Sequence, residues 1–265
     1  MTKRFDLEEI RAYWAEQVTK HGQSPSASWS DQMVIELEIR EILKHLNDGD
    51  RVLDVGCANG YSTVQFASQK QIHIRGVDYI PEMIEQARSR LHGVRDKILG
   101  TVEFAAGDLT KLDEPTNRYD KVISIRVIIN LGEWSRQLNA LSECTRVLKP
   151  NGMLLLSEAT LQGWEKLNEF RREWHLPDIP MPPFNNYLDR DRVIEALNKD
   201  MRLIKVVNFA STYYVGTRVL KPLLIQALGG AIDVADPNMH WNRWFAQLPA
   251  WGEYGTQELF VFMKE

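Results

Sequence analysis

Apolar residues recur along the chain in two rhythms, one helical and one of short runs. Residues 6 to 20 carry Leu7, Ile10, Trp14 and Val18 at helical spacing. Asp31 to Leu46 carry Ile35, Ile39, Ile42, Leu43 and Leu46 in the same way. The turn-rich stretch HGQSPSASWS separates the two predicted helices, and NDGD closes the second. Short apolar runs then alternate with amphipathic stretches. RVLDV leads into a helix from about Ser62, and IHIRGVD leads into YIPEMIEQARSRL, where Pro81 suits a first helical turn. VEFAAGD reads as a strand. YDKVISI precedes the helix EWSRQLNALSECTRVL, and a KPNG turn precedes the strand MLLLSE. This alternation requires a mainly parallel sheet with helices on both faces.

After Glu158 the rhythm loosens. LQGWEKLNEFRREW reads as a helix, LPDIPMPPFNN as a proline-rich loop, DRDRVIEAL as a helix and MRLIKVVNFA as a strand. Residues 213 to 256 are rich in Trp, Tyr, Gly and Pro, and serve either as core for the last strands or as a cover. The final run, ELFVFMK, follows without an obvious crossover helix, so it enters antiparallel to its neighbour. The expected fold class is α/β: a seven-stranded, mostly parallel sheet with an antiparallel last strand, helices on both faces and a helical and loop cover over the cleft. Two units are expected. Residues 1–48 form an N-terminal helical cover. Residues 49–265 form the sheet domain, with insertions 159–200 and 211–257 on the acceptor side.

Composition narrows the classes of function. A net charge of -4 argues against broad binding of nucleic-acid backbones. The two cysteines, Cys57 and Cys144, cannot build a disulfide framework and suit a reducing compartment. The first residues are acid-rich without an apolar core, and no apolar run is long enough to span a bilayer, so a cytoplasmic protein without membrane association is expected. The six histidines show no metal-ligand spacing, and no metal is expected.

In an open parallel sheet, ligands bind beyond the carboxyl ends of the strands. The first three strands here end at or near Asp54, Asp78 and Asp108. The loop Gly56-Cys57-Ala58-Asn59-Gly60 lets backbone approach a ligand and supplies free N–H groups at a helix start. Asp78 lies about 20 residues on, where a carboxylate can accept hydrogen bonds from ribose hydroxyls. Asp108 can accept from an exocyclic amine. A nicotinamide dinucleotide would share the first two features, but its fingerprint needs glycine where Tyr61 stands. Asp54 ahead of the loop is unfavourable to a pyrophosphate and suits an ammonium or sulfonium.

The ordered set VLDVGCANG, GVDYIPEMI, FAAGDL, YDKVISI and RVLKPNGMLLLSE, spanning roughly residues 50 to 158, resembles the class I S-adenosylmethionine-dependent methyltransferases. The resemblance implies a Rossmann-like fold and a site for S-adenosylmethionine. Asp54 and the loop residues Gly56, Cys57, Ala58 and Gly60 would hold the methionine portion, Asp78 the ribose, and Asp108 with Leu109 the adenine, flanked by Tyr79 and Ile80. Many relatives carry glycine where Ala58 stands, and a methyl there is tolerable if φ is negative. Trp29, in ASWSDQ, is a further candidate for the cofactor.

The acceptor side has weaker signals, because methyl transfer from a sulfonium needs alignment and desolvation more than a fixed set of groups. The fourth strand ends in SIRVIINL, without the Asn/Asp-Pro-Pro-Tyr/Phe segment often found in enzymes that methylate nucleobase or glutamine amino groups. Arg126 points a fixed cation at the site, either toward an anionic acceptor, toward the cofactor's carboxylate or into a salt bridge. Arg126, Glu158 and His175 are the candidate catalytic residues, with Glu158 a base or ammonium partner. Tyr13, Trp14, Asn130, Asn186, Tyr187, Tyr214 and Trp241 are candidate acceptor contacts. His175 is expected to cluster with Asn185, Asn186 and Tyr187, with His21, Arg243 and Trp244 as lesser candidates. The expected activity is methylation of an O or N atom of a small molecule, with a homodimer left open. A non-catalytic binder of S-adenosylmethionine or S-adenosylhomocysteine and an aminopropyl transferase are the rivals.

Overall fold

A computed structural model describes residues 3–229 and 240–265. The expected alternation is present: α1 (Leu7–His21), α2 (Gln32–Leu43), β1 (Arg51–Val55), α3 (Tyr61–Gln69), β2 (His73–Asp78), α4 (Pro81–Gly93), β3 (Thr101–Ala106), β4 (Tyr119–Ile125), α5 (Trp134–Val147) and β5 (Leu148–Ala159). Then follow α6 (Leu161–Glu173), α7 (Arg190–Leu197), β6 (Met201–Val207), α8 (Ser211–Tyr214), a π-helical turn (Val215–Leu220), α9 (Lys221–Ala227), α10 (His240–Phe245) and β7 (Gln257–Lys264). The strand order is β3-β2-β1-β4-β5-β7-β6, and β7 runs antiparallel to both of its neighbours.

The side-chain period of a strand sends successive residues to opposite faces. Val52, Ile123, Leu155 and Val261 therefore face a core built with Ile35, Ile39 and Ile42 of α2 and Phe66 of α3. Their neighbours Leu53, Val122, Leu154 and Phe262 face a second core with Leu141 and Val147 of α5 and Val193 of α7. Chain order reverses between β1 and β4, which opens the crevice at their carboxyl ends.

Local signals fix the cover above that crevice. A capping box starts α1: the Asp6 carboxylate accepts from the Glu9 N–H, and the Glu9 side chain accepts from the Asp6 N–H. Buried Asn59 in the glycine loop donates to the carbonyls of Gly22 and Ser24 at 2.9 and 2.8 Å, tying the end of α1 to the loop.

Three element readings change. The second helix ends at Leu43 rather than Leu46. The KPNG turn lies within β5, which starts at Leu148 and pairs with β4 across a register shift. Among its described residues the aromatic-rich stretch after residue 210 is helical over residues 211–227 and His240–Phe245, and it supplies both core and cavity wall. Residues 230–239 of it lie outside the described residues.

Candidate active site

At the end of β1 the chain turns back so tightly that the N–H groups of Gly56 and Cys57 both donate to the Val77 carbonyl, at 2.8 and 3.0 Å. Gly56 has φ +68°, and a Cβ there would lie 2.4 Å from a Val127 methyl. Gly60 caps α3 at φ +70°, where a Cβ would lie 2.7 Å from the Phe104 ring. Both positions require glycine for conformation and for space. Ala58 also has positive φ, +47°. The condition of negative φ is not met: the alanine is held in the left-handed region, at a cost of about 1–2 kcal/mol.

Asp78 sets the conformation of this turn. Its Oδ2 accepts from the Ala58 N–H and its Oδ1 from the Ile80 N–H, both at 2.9 Å. The carboxylate joins the glycine loop to the start of α4 while still lining the cavity. Burial outweighs these hydrogen bonds and pushes its pKa up to about 6. Behind it, fully buried Asp54 accepts from the Thr63 hydroxyl, and burial pushes it up to about 7. Cys57 is buried beside Phe104, and burial pushes its thiol up, so it is not a reactive thiolate.

A first cavity lies over these strand ends. Gly56, Ala58, Asp78, Tyr79, Ile80, Asp108, Leu109 and Arg126 line it, as do Trp14 and Ser28 from the N-terminal segment. Asp108 holds its carboxylate in place by accepting from the N–H and hydroxyl of Thr110. Arg136 also lines it, and its Nε is buried without a hydrogen-bond partner among the described residues.

A second cavity lies beside the first. It is lined by Tyr13, Trp29, Trp164, Phe184, Tyr187 and Tyr214, among others, and it shares Trp14, Ser28, Arg126 and Asn130 with the first. Those four residues are where contents of the two cavities would meet. Trp14 Nε1 donates to Asn130 Oδ1 at 3.3 Å, and Asn130 Nδ2 donates to the Arg126 carbonyl at 2.8 Å.

The cation at this junction is neutralised from behind. Arg126 is ion-paired with Glu38, which is fully buried in α2 and also accepts from the Ser157 hydroxyl. The Arg126 guanidinium lies 5.0 Å from the Trp29 ring centroid. At the far wall Arg218 is ion-paired with Asp31 and stacks on Tyr214 at 4.6 Å and Tyr213 at 5.4 Å. The π-helical turn carries Arg218, with Tyr213 and Tyr214 in the α8 turn just before it. The wider turn brings residues four and five apart onto one face.

The model of a family described as a methyltransferase domain matches residues 46–202, more than half the chain. The chain belongs to the S-adenosylmethionine-dependent methyltransferases of class I. The O-methyltransferase rstn1 of Aspergillus nomiae is 29% identical over 147 residues, 53% of this chain and 63% of that protein. The 27-O-demethylrifamycin SV methyltransferase of Amycolatopsis mediterranei is 26% identical over 118 residues, 44% of this chain and 41% of that protein. The match thus spans less than two thirds of either relative. A SAM-dependent methyltransferase from Methanosarcina mazei has the same fold, with a TM-score of 0.55 at 15% identity over 85% of this chain and 96% of that one.

In this member of the family, the residues present fit an adenosine carrying a positively charged tail. Two carboxylates, Asp78 and Asp108, line the first cavity, Asp54 lies behind it, and Arg136 offers an unpartnered donor. Eight of the expected cofactor residues line that cavity. Asp54, Cys57 and Gly60 shape the loop from behind, and Trp29 faces the second cavity. The candidate acceptor residues Tyr13, Trp14, Asn130, Tyr187 and Tyr214 line the second cavity, as does His21.

Four expectations are not met by the geometry. Glu158 is fully buried. Its Oε1 accepts from the Val127 and Ile128 N–H groups and the Ser124 hydroxyl, so it holds the loop after β4 and lines neither cavity. His175 is exposed at the end of α6 with φ +56°, a helix-terminating position away from Tyr187 and the cavities. Asn186 is exposed and donates to the Gly132 carbonyl, while its own carbonyl accepts from Gln137. Trp241 donates to the Gly216 carbonyl at 2.9 Å and packs on Phe245. Arg243 and Trp244, nearby on α10, are exposed. Glu38, Asp31, Arg136, Phe184 and Arg218 were missed. Glu38 carried a signal: it is an acid three residues after Ile35, within the apolar stripe of its helix.

Among the described residues no group of three or more His, Cys, Asp or Glu is placed to hold a metal. No described helix is long and apolar enough to cross a membrane.

Proposed function

We propose that this protein transfers the methyl group of S-adenosylmethionine to an oxygen or nitrogen atom of a small molecule held in the second cavity, releasing S-adenosylhomocysteine. The meeting of the two cavities at Trp14, Ser28, Arg126 and Asn130 carries this reading. When bound, the cofactor supplies an electrophilic methyl on a sulfonium. The chain's part is to bind, align and exclude water. Asp78 would accept from the ribose hydroxyls, Asp108 and Leu109 with Tyr79 and Ile80 would hold the adenine, and Gly56 and Ala58 would border the methionine portion. Residues 1–48 and the two insertions act as the cover.

None of the four shared residues is a carboxylate or an imidazole. At that junction the acceptor is thus one that is nucleophilic without losing a proton to these four residues, and His21, which lines the second cavity, is the imidazole there that can take a proton. The two relatives described above carry O-methylation in their names, while others are named demethylmenaquinone methyltransferase and sterol 24-C-methyltransferase, so the relatives leave the acceptor atom open. An aminopropyl transferase would need acids for a polyamine, and no Asp or Glu is among the described residues lining the second cavity. The test is incubation with methyl-labelled S-adenosylmethionine and a cell metabolite extract. Label in a new small molecule is expected. Tight binding of the cofactor with no transfer from any extract would instead indicate the non-catalytic binder.

A further inference from the structure

We infer that the acceptor is an uncharged molecule with a flat, conjugated ring system; this rests on the second cavity being the acceptor site. Three features of that cavity carry the inference. The first is its shape. On one side the Tyr13 and Phe184 rings lie nearly parallel, 4.4 Å apart at 20°, with Trp14 edge-on to both. Trp164 and Tyr187 meet edge to face at 6.3 Å on another part of the wall. Ile179, Pro180 and Pro182 supply stiff apolar wall between these groups. Preformed aromatic faces favour a planar ring, which gains contact area and offset stacking without ordering a flexible chain.

The second feature is the absence of an uncompensated charge. Arg126 and Arg218 are the strongly basic groups among the described lining residues, and each is already paired with a buried carboxylate, Glu38 or Asp31. Each guanidinium also lies over an aromatic ring. An anionic acceptor would have to compete with carboxylates that cannot withdraw into water, and leaving one of those unpaired is costly. The earlier expectation of an anionic acceptor at Arg126 is thereby reversed. The third feature is that no Asp or Glu lines the cavity among the described residues, so an ammonium has no counter-ion. Polar recognition is left to Gln17, His21, Asn185, Thr256 and Gln257, of which only the His21 imidazole is ionisable; these groups suit hydroxyl or carbonyl substituents.

The test uses the full chain saturated with S-adenosylhomocysteine and three probes of one shape: 2-naphthol, 2-naphthoate and 2-naphthylmethylammonium. Binding is followed at pH 8 by quenching of tryptophan fluorescence. The neutral probe should bind at least tenfold more tightly than either charged one. Tyr13→Ala should weaken it severalfold while S-adenosylhomocysteine binding holds. Glu38→Gln, which uncovers the charge of Arg126, should raise naphthoate affinity relative to naphthol, a change that mere loosening of the fold would not produce. A charged probe binding as tightly as naphthol in the unaltered protein would overturn the inference, as would no probe binding while S-adenosylhomocysteine binds; both leave the methyl-donor reading standing. Failure of S-adenosylhomocysteine itself to bind would remove both.

Discussion

Asp78 and Ala58 meet in one hydrogen bond and carry opposite kinds of cost. Asp78 loses hydration on burial and is held by two backbone N–H groups. Its replacement by alanine removes both the proposed ribose contact and the brace on the glycine loop. Hydrogen bonds to a charged group contribute about 1.5–3 kcal/mol each, so S-adenosylhomocysteine affinity should fall by roughly tenfold to a hundredfold or more in calorimetry. Unchanged affinity would mean that the ribose lies elsewhere. Ala58 at φ +47° bears a conformational cost that glycine does not. Ala58→Gly should raise the melting temperature by about 2 °C, the shift expected from a gain of under ~1 kcal/mol in a chain of this size. A lowered melting temperature would show that the alanine methyl makes contacts worth more than the strain.

At the scale of elements, the carboxyl ends of β1 to β4 were legible because strands, glycine turn and acids recur in a fixed order with no long-range information needed. The second half was less so. His175 was read as chemistry because it lies near Asn185 in sequence, yet it ends a helix, a position set by backbone geometry. Arg218 had no sequence signal, since its place depends on a π-helical turn that period-3.6 patterns do not reveal. That turn packs where Gly216 meets α10: a Cβ on Gly216 would lie 2.2 Å from the Phe245 ring. Gly216→Ala should therefore destabilise the chain by about 1–3 kcal/mol and disturb the second cavity through Tyr214 and Arg218. Acceptor-probe binding should weaken more than cofactor binding, measured by parallel titrations. Equal loss of both would show that the turn serves stability alone.

For the whole molecule, buried acids link stability to pH. Asp54, Asp78 and Glu158 are raised to about 7, 6 and 7, chiefly by burial, whereas in the unfolded chain they return to ordinary carboxylate values. Between about pH 4 and 7 the folded chain thus keeps protons that the unfolded chain has released. Their contribution is fully present below that window and is lost as pH rises through it. A bound ligand with a cationic tail favours the ionised forms of Asp54 and Asp78 and so offsets the loss. The rise in melting temperature on adding S-adenosylmethionine should grow from pH 5 to pH 7.5, and grow more than with S-adenosylhomocysteine, which lacks the sulfonium. A rise independent of pH would show that these carboxylates do not sense the ligand.

The glycine loop, Asp78 and Asp108 are proposed to form the site for S-adenosylmethionine. Calorimetric titration of the intact chain with S-adenosylmethionine, S-adenosylhomocysteine and NAD addresses this directly. Saturable one-to-one binding of both sulfur compounds, with none of NAD, is the predicted result. No heat from either sulfur compound, or binding of NAD in their place, would contradict it.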